Sequence, residues 1–275
     1  MIIKNFNNLL ELFFKQCDLK NKNNVFLTSL ANPKTKFTWE ETKTNVIKLS
    51  SEFKRFIEKG DRCLLISENR PEWLISDLAI MLAGGITVPA YTTYLESDYE
   101  YIIEDCSPTI IIVSNNDQFK KIKNIINKKF IKKIFSFESL NEIESNKYIN
   151  INNFLNQRKD KIDETTKIDL LRKDPACIIY TSGTQGNPKG VILSHGGILN
   201  NIVGACEIMK PLFNSRPVFL TWLPLSHSYE HCVQFAQIAV GAKVFYAEKI
   251  EKLLENISEA KPTIMTAVPR FYQNL

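Results

Sequence analysis

The sequence predicts an α/β fold of layered, mostly parallel sheets flanked by helices. Three observations carry that prediction. Short runs rich in β-branched residues recur along the 275 residues, and stretches of helical spacing separate them. Helix-start chemistry sits at the junctions, as where Thr38 is followed three residues later by Glu41. The chain is 44% hydrophobic and 24% charged, enough to bury a core and too apolar for disorder.

Asn5 to Gln16 reads as a helix and Val25 to Thr28 as a strand. The Thr38/Glu41 capping box starts a helix that runs towards Gly60. Cys63 to Ser67 is strand-like, and Pro71, suited to a first helical turn, opens a helix carrying Trp73, Leu74, Leu78 and Met81. Ile86 to Ala90 is extended, Ser97 caps a helix, and Thr109 to Val113 is a buried strand. Phe119 to Phe135 carries seven lysines among Phe119, Ile122, Ile125, Ile126, Ile131 and Ile134. It reads as a helix with a solvated face over an apolar underside.

Asn141 to Asp169, rich in Asn, Lys, Asp and Glu, reads as the connection between two lobes, 1–165 and 166–275. The second lobe resumes with a strand, Ala176 to Tyr180, then a Gly-rich loop, then a short strand, Val191 to Leu193. Ser194 can cap a helix whose residues Ile198, Leu199, Ile202, Val203, Cys206 and Met209 follow helical spacing. Further strands are expected at Val218 to Trp222, Val244 to Ala247 and Thr263 to Val268. Phe271 and Tyr272 begin another helix, on which the sequence stops.

Several function classes are excluded. The 35 basic and 30 acidic side chains leave +5, too mild a balance to imply nucleic acid. Six scattered cysteines without a C-x-x-C pair suit reduced thiols in a cytoplasmic protein. Met1 to Lys20 contains Glu11 and alternates apolar with polar residues, unlike a secretory signal core. The most apolar stretch, Trp73 to Tyr91, is interrupted by Asp77, Gly84, Gly85 and Pro89, so no spanning helix is expected. Membrane contact through the lysine tract would be peripheral at most.

The segment richest in chemical meaning is Tyr180-Thr181-Ser182-Gly183-Thr184-Gln185-Gly186-Asn187-Pro188-Lys189-Gly190. Its glycines let backbone N–H groups approach an anion without a side chain in the way. Thr181, Ser182 and Thr184 add hydroxyl donors, and Lys189 adds a mobile positive charge. Hydrogen bonds to a charged partner contribute about 1.5–3 kcal/mol each, so four or five together would grip a triphosphate. A Walker loop counted from Gly183 would need Gly at Pro188 and Ser or Thr at Gly190, and both conditions fail.

This string resembles the phosphate-binding signature of the adenylate-forming, AMP-binding superfamily, with Gln185 in place of the usual threonine. Ser67-Glu68-Asn69-Arg70-Pro71-Glu72-Trp73, with Asp77-Leu78-Ala79 and Gly85 through Tyr94, resembles the first lobe of long-chain acyl-CoA synthetases within it. Leu223-Pro224-Leu225-Ser226-His227-Ser228-Tyr229-Glu230-His231 and Ala267-Val268-Pro269-Arg270-Phe271-Tyr272 resemble that family's next two motifs, in its order. The resemblance implies a long-chain fatty acid–CoA ligase that forms an acyl-adenylate from ATP and then an acyl-CoA. It implies ATP, Mg²⁺ and coenzyme A as participants and a long-chain fatty acid as substrate.

On the same resemblance, Thr181, Ser182, Gly183, Thr184, Gly186 and Lys189 hold phosphate, and Lys189 and His227 are the catalytic residues. His227 would lie near the acyl carboxylate, where imidazole can orient it or donate a hydrogen bond. Capping of the following helix is the structural alternative for His227. The family's later parts do not occur in the 275 residues: a Tyr-Gly-x-Thr-Glu motif, a Thr-Gly-Asp motif and a C-terminal subdomain carrying the adenylation lysine. The resemblance therefore implies the N-terminal portion of such an enzyme. Its alternative is a non-enzymatic fragment that a separate chain would have to complete. His227 to His231 also spells H-x-x-E-H, an inverted zinc-protease pattern, but Pro224 and Ser226 put His227 at a helix threshold instead of inside a long helix.

Overall fold

A computed structural model describes residues 3–31, 34–141, 143–144, 146–157, 169–181, 188–212, 216–269 and 271. The first helix is α1 (Leu9–Leu19), capped by Asn8, whose side chain accepts from the Glu11 N–H at 2.9 Å. Its start lies four residues later than the expected Asn5, because Asn8 takes the capping position and Ile3–Asn5 form only a 3-10 turn. Strands β1 (Val25–Ser29) and β2 (Lys36–Thr38) follow, then α2 (Trp39–Phe53). The capping box at the start of α2 is made as expected. Glu41 N–H donates to Thr38 Oγ1 at 3.1 Å, and Thr38 N–H donates to Glu41 Oε2 at 2.7 Å.

The next elements are β3 (Arg62–Ile66), α3 (Pro71–Leu82), β4 (Ile86–Ala90), α4 (Glu96–Cys106) and β5 (Ile110–Val113). Helix α4 is capped at Leu95, not at the expected Ser97: Asp98 reaches back to accept from the Leu95 N–H at 2.9 Å. The lysine tract is not the expected helix. Only α5 (Asn116–Lys120) is helical, and turns carry the chain on to β6 (Lys133–Ser136). Like charges three and four residues apart repel on a helix face, whereas these turns still bury Ile122 and Ile125. The segment read as a connection also holds order, β7 (Tyr148–Asn150) and α6 (Ile151–Gln157).

The chain continues with β8 (Pro175–Thr181), β9 (Lys189–Ser194), α7 (His195–Met209), β10 (Val218–Thr221), α8 (Ser228–Val240), β11 (Lys243–Tyr246) and α9 (Leu253–Ala260). Ser194 caps α7 as expected, its hydroxyl accepting from the Gly197 N–H at 3.1 Å. The strand expected at Thr263 to Val268 reduces to a single bridge between Phe219 and Ile264.

Two compact units emerge, and they are interleaved along the chain. One comprises Met1–Thr42, Asn69–Pro71 and Ile198–Leu275; the other comprises Lys43–Glu68 and Glu72–Gly197. The expected lobes, 1–165 and 166–275, follow chain order, whereas these units do not. Pairing explains the difference: β8 and β9 join the sheet of β3 to β7 in the second unit.

That sheet has seven strands in the order β7-β6-β5-β3-β4-β8-β9, parallel except for the antiparallel β8–β9 pair. Its core joins Leu64, Ile66, Val88, Ile102, Ile111 and Val113. Strands buried on both faces need continuous apolar runs, which is how Leu64–Ile66 and Ile110–Val113 read. The first unit carries a four-stranded sheet, β10-β11-β1-β2, parallel except at β1–β2. Helices α1 and α8 pack together there, and Phe26 stacks on Trp39 with ring centroids 3.7 Å apart.

Candidate nucleotide and acyl site

The glycine-rich loop is the tip of a β-hairpin. Strands β8 and β9 pair antiparallel from Ile178↔Ile192 to Thr181↔Lys189, so Thr181 and Lys189 face one another where the loop leaves the sheet. Both are exposed. Ser182, Gly183, Thr184 and Gly186 lie outside the described residues. The strand expected after the loop is present and starts at Lys189 itself, which distinguishes this turn from a loop that opens a helix.

Local packing fixes the hairpin's base. Gly190 stands opposite Tyr180, and a Cβ there would lie 2.9 Å from Ile178 Cγ2 and 3.3 Å from Tyr180 Cζ. Only glycine leaves those side chains in place. The buried Tyr180 hydroxyl donates to Asp105 Oδ2, and burial together with this bond pushes the phenol's pKa up. Tyr180 is thus a structural peg beneath the loop.

The second motif occupies the other unit. A turn closed by the His227 N–H on Pro224 O, at 3.0 Å, leads into α8. His227 is the N-cap, its Nδ1 accepting from the Tyr229 N–H at 3.2 Å. The capping role is therefore realised, and it has a chemical consequence. An Nδ1 that accepts carries no proton, so neutral His227 holds its proton on Nε2, and the exposed ring can donate from there. His231, the other histidine of the H-x-x-E-H string, is fully buried beside Phe235, with ring centroids 5.5 Å apart. Among the described residues no group of three His, Cys, Asp or Glu could hold a metal ion.

Asn69 braces the turn. Its Nδ2 donates to Leu223 O at 2.7 Å and its Oδ1 accepts from the Leu225 N–H at 3.1 Å, so one side chain satisfies two backbone groups as a strand would. The partners lie more than 150 residues apart in sequence, and only the motif around Asn69 hinted at a role.

The carboxylate of the H-x-x-E-H string sits in the first turn of α8. Glu230 is 1% exposed, and its Oε2 accepts from the Thr266 hydroxyl at 2.8 Å. Burial pushes its pKa up to about 7, against hydrogen bonds from Thr266 and Thr221 that pull it down. Thr221 Oγ1 accepts from Gln237 Nε2 at 2.9 Å, which leaves the Thr221 proton free to point at the carboxylate. His195, beside the α7 cap, is buried in the second unit. Burial lowers its pKa to about 4 although Asp77 and Asp174 oppose that. It is a neutral packed side chain with a structural role.

The lysine tract borders a cavity of about 300 Å³ lined by Ile126, Lys128, Ile131, Lys132, Lys133 and Lys147 among others. Several of its charges are met locally: Lys128 pairs with Glu104 at 2.8 Å, Lys133 donates to Asn146 O at 2.6 Å, and Lys147 lies 3.5 Å from Glu144. All six cysteines are free thiols, and among the described residues no helix is long and apolar enough to cross a membrane.

Comparison with known proteins agrees with this geometry. The family model described as "AMP-binding enzyme" matches residues 13–275. Long chain acyl-CoA synthetase 3 of Arabidopsis thaliana is 30% identical over 254 residues, covering 86% of this chain and 37% of that protein. Long-chain-fatty-acid--CoA ligase FadD15 of Mycobacterium tuberculosis is 27% identical, covering 80% of this chain and 36% of that protein. The chain thus spans little more than a third of the length of these relatives. Among solved structures, ATP-bound MatB from Rhodopseudomonas palustris superposes with a TM-score of 0.79 at 22% identity, over 98% of this chain and 51% of that one. O-succinylbenzoate Coenzyme A Synthetase (MenE) from Bacillus subtilis, in complex with AMP, gives a TM-score of 0.75 at 18% identity, over 98% of this chain and 64% of that one. With nearly its whole length matched by the family model and its fold shared with these enzymes, the chain belongs to the AMP-binding enzyme family.

Proposed function

We propose that the chain supplies the phosphate-binding and acyl-orienting part of an ATP-dependent long-chain fatty acid–CoA ligase. The observation that carries this reading is the β8–β9 hairpin, which sets Thr181 and Lys189 opposite one another at the mouth of the glycine-and-hydroxyl loop. Thr181, Ser182, Gly183, Thr184, Gly186 and Lys189 would hold the β- and γ-phosphates. Lys189 and His227 are the residues proposed to act in the reaction. Substitution at phosphorus depends mainly on in-line positioning and on neutralising charge at the phosphate oxygens, which suits amide and hydroxyl donors with one lysine.

A long-chain fatty acid carboxylate would attack the α-phosphorus, expelling pyrophosphate, and the coenzyme A thiol would then displace AMP. His227, with its proton held on Nε2 by the helix cap, would donate to the carboxylate or the adenylate. Mg²⁺ would be held chiefly by phosphate oxygens, as is usual for a hard cation with few protein ligands. The acyl chain would lie in an apolar tunnel, each buried methylene contributing about 0.8 kcal/mol.

A 275-residue polypeptide of this sequence lacks the family's adenine, ribose and adenylation-lysine motifs. Assayed by themselves, these 275 residues are expected to bind ATP yet to support little or no ligation, because the family's closing subdomain is not among them. A second polypeptide carrying those motifs would restore it, in the cytoplasm or at the face of a membrane. Pyrophosphate exchange with a panel of acids is the test. Weak exchange alone and long-chain-dependent exchange after addition of the missing part support the reading. Robust exchange by the chain alone refutes the dependence, and preference for a short or aromatic acid refutes the substrate class.

A further inference from the structure

The chain 263–269 contains the start of the Ala267-Val268-Pro269 motif, yet it is hardly part of a sheet: one bridge at Ile264 is its strand pairing among the described residues. Its position depends instead on side chains. Thr263 is tied to Val218, its N–H donating to Val218 O at 2.9 Å and its hydroxyl accepting from the Val218 N–H at 2.9 Å. Trp222 Nε1 donates to Thr266 O at 2.7 Å. Glu230 takes the Thr266 hydroxyl at 2.8 Å.

Of these ties only the last uses a group that is costly to bury. Glu230 is 1% exposed, with the hydroxyls of Thr266 and Thr221 as the donors beside it. An ionised carboxylate can only accept, so once buried it needs such donors aimed at it. Gln or a packed apolar residue would anchor a helix end more cheaply. The carboxylate stands three residues after His227, one turn into the helix that His227 caps. The helix end that His227 caps is therefore tied, three residues on, to the side chain of Thr266.

We propose that Glu230 is a positioning residue that, through Thr266, holds segment 263–269 in register with the helix end capped by His227, and so shapes the place where the acyl carbonyl of an acyl-adenylate sits. The identity of that ligand rests on the function proposed above; the mechanical link does not. The burial that raises the carboxyl group to about 7 is the same burial that makes its bond to Thr266 strong.

The test uses the 275-residue chain with Thr266→Val, Glu230→Leu and Glu230→Gln, each checked for native circular dichroism. Three readouts are taken: hydrogen exchange of amides 264–268, Trp222 emission, and binding of ATP and of a non-hydrolysable long-chain acyl-adenylate analogue. Thr266→Val and Glu230→Leu are expected to speed exchange and shift emission. They should weaken the analogue by about tenfold while ATP changes by less than about twofold. Glu230→Gln, whose amide oxygen still accepts from Thr266, should recover most of each loss.

Unchanged exchange and emission in Thr266→Val, which removes one hydroxyl and little volume, would overturn the link. Equal losses for ATP and analogue, or no binding of the analogue to the unaltered chain, would overturn the assignment to the acyl end. Failure of ATP to bind the unaltered chain would instead sink the proposed function, and hydrogen exchange would still decide the link.

Discussion

Glu230 in the first compact unit and His195 in the second are both buried against their charge, with opposite sign. In the first unit Glu230 is pushed up to about 7 by burial, from an ordinary 4.5. In the second, His195 is pulled down to about 4 by burial, from an ordinary 6.5. Folded Glu230 holds a proton that the unfolded chain releases between pH 4.5 and 7, so its contribution to stability falls as pH rises through that window. Folded His195 lacks a proton that the unfolded chain binds between pH 4 and 6.5, so its contribution rises with pH there. Where the two windows overlap, between pH 4.5 and 6.5, the contributions have opposite slopes and offset one another.

Removing either group should unmask the other, and these are the largest expected effects. Glu230→Gln, which keeps the bond to Thr266, should raise stability near pH 8 by up to about 3 kcal/mol. It should also leave a curve that rises from pH 4 to 6.5, read from urea midpoints. A variant whose pH profile matches that of the unaltered chain would show that the carboxyl group is not proton-linked to folding. His195→Gln should gain about 2 kcal/mol at pH 5 and leave a curve that falls with pH. An unchanged slope between pH 4.5 and 6.5 would contradict the burial of a neutral imidazole.

A smaller effect separates the units' strands. Gly190→Ala places a methyl group 2.9 Å from Ile178 Cγ2 at the base of the hairpin. It should cost about 1–3 kcal/mol in thermal or urea unfolding and weaken ATP, because the loop's two ends shift. Full stability with full ATP binding would mean that Ile178 and Tyr180 yield without moving the loop. The smallest effect is Thr38→Ala at the start of α2 in the first unit. Loss of the capping box should cost about 1 kcal/mol by urea unfolding, with ATP binding unchanged.

How much could be read beforehand follows from how local each signal is. The Thr38 capping box, the Ser194 cap and the β-branched strands depend on neighbours within four residues, and each formed as expected. The Ser97 cap and the lysine helix failed for local reasons that compete: Asp98 satisfied an earlier N–H, and like charges met apolar residues that turns bury equally well. The strand expected at Thr263 to Val268 failed for a distant reason. Trp222 claims the Thr266 carbonyl, which a strand ladder could have used, across a gap of 44 residues, and Glu230 holds the same residue's hydroxyl from 36 residues away.

The site divides in the same way. Its glycine-and-hydroxyl loop announces itself in one short window. The Asn69 brace and the Glu230 link are visible only once the chain has folded, because their partners share no window with them.

The central claim is that the loop between Thr181 and Lys189 grips a nucleotide's polyphosphate. Titration calorimetry of Mg-ATP into the 275-residue chain and into Lys189→Ala tests it most directly. Mg-ATP should bind measurably, bind about tenfold or more weakly without the lysine, and be displaced by inorganic pyrophosphate. Equal affinity in both proteins, with pyrophosphate unable to compete, would contradict it.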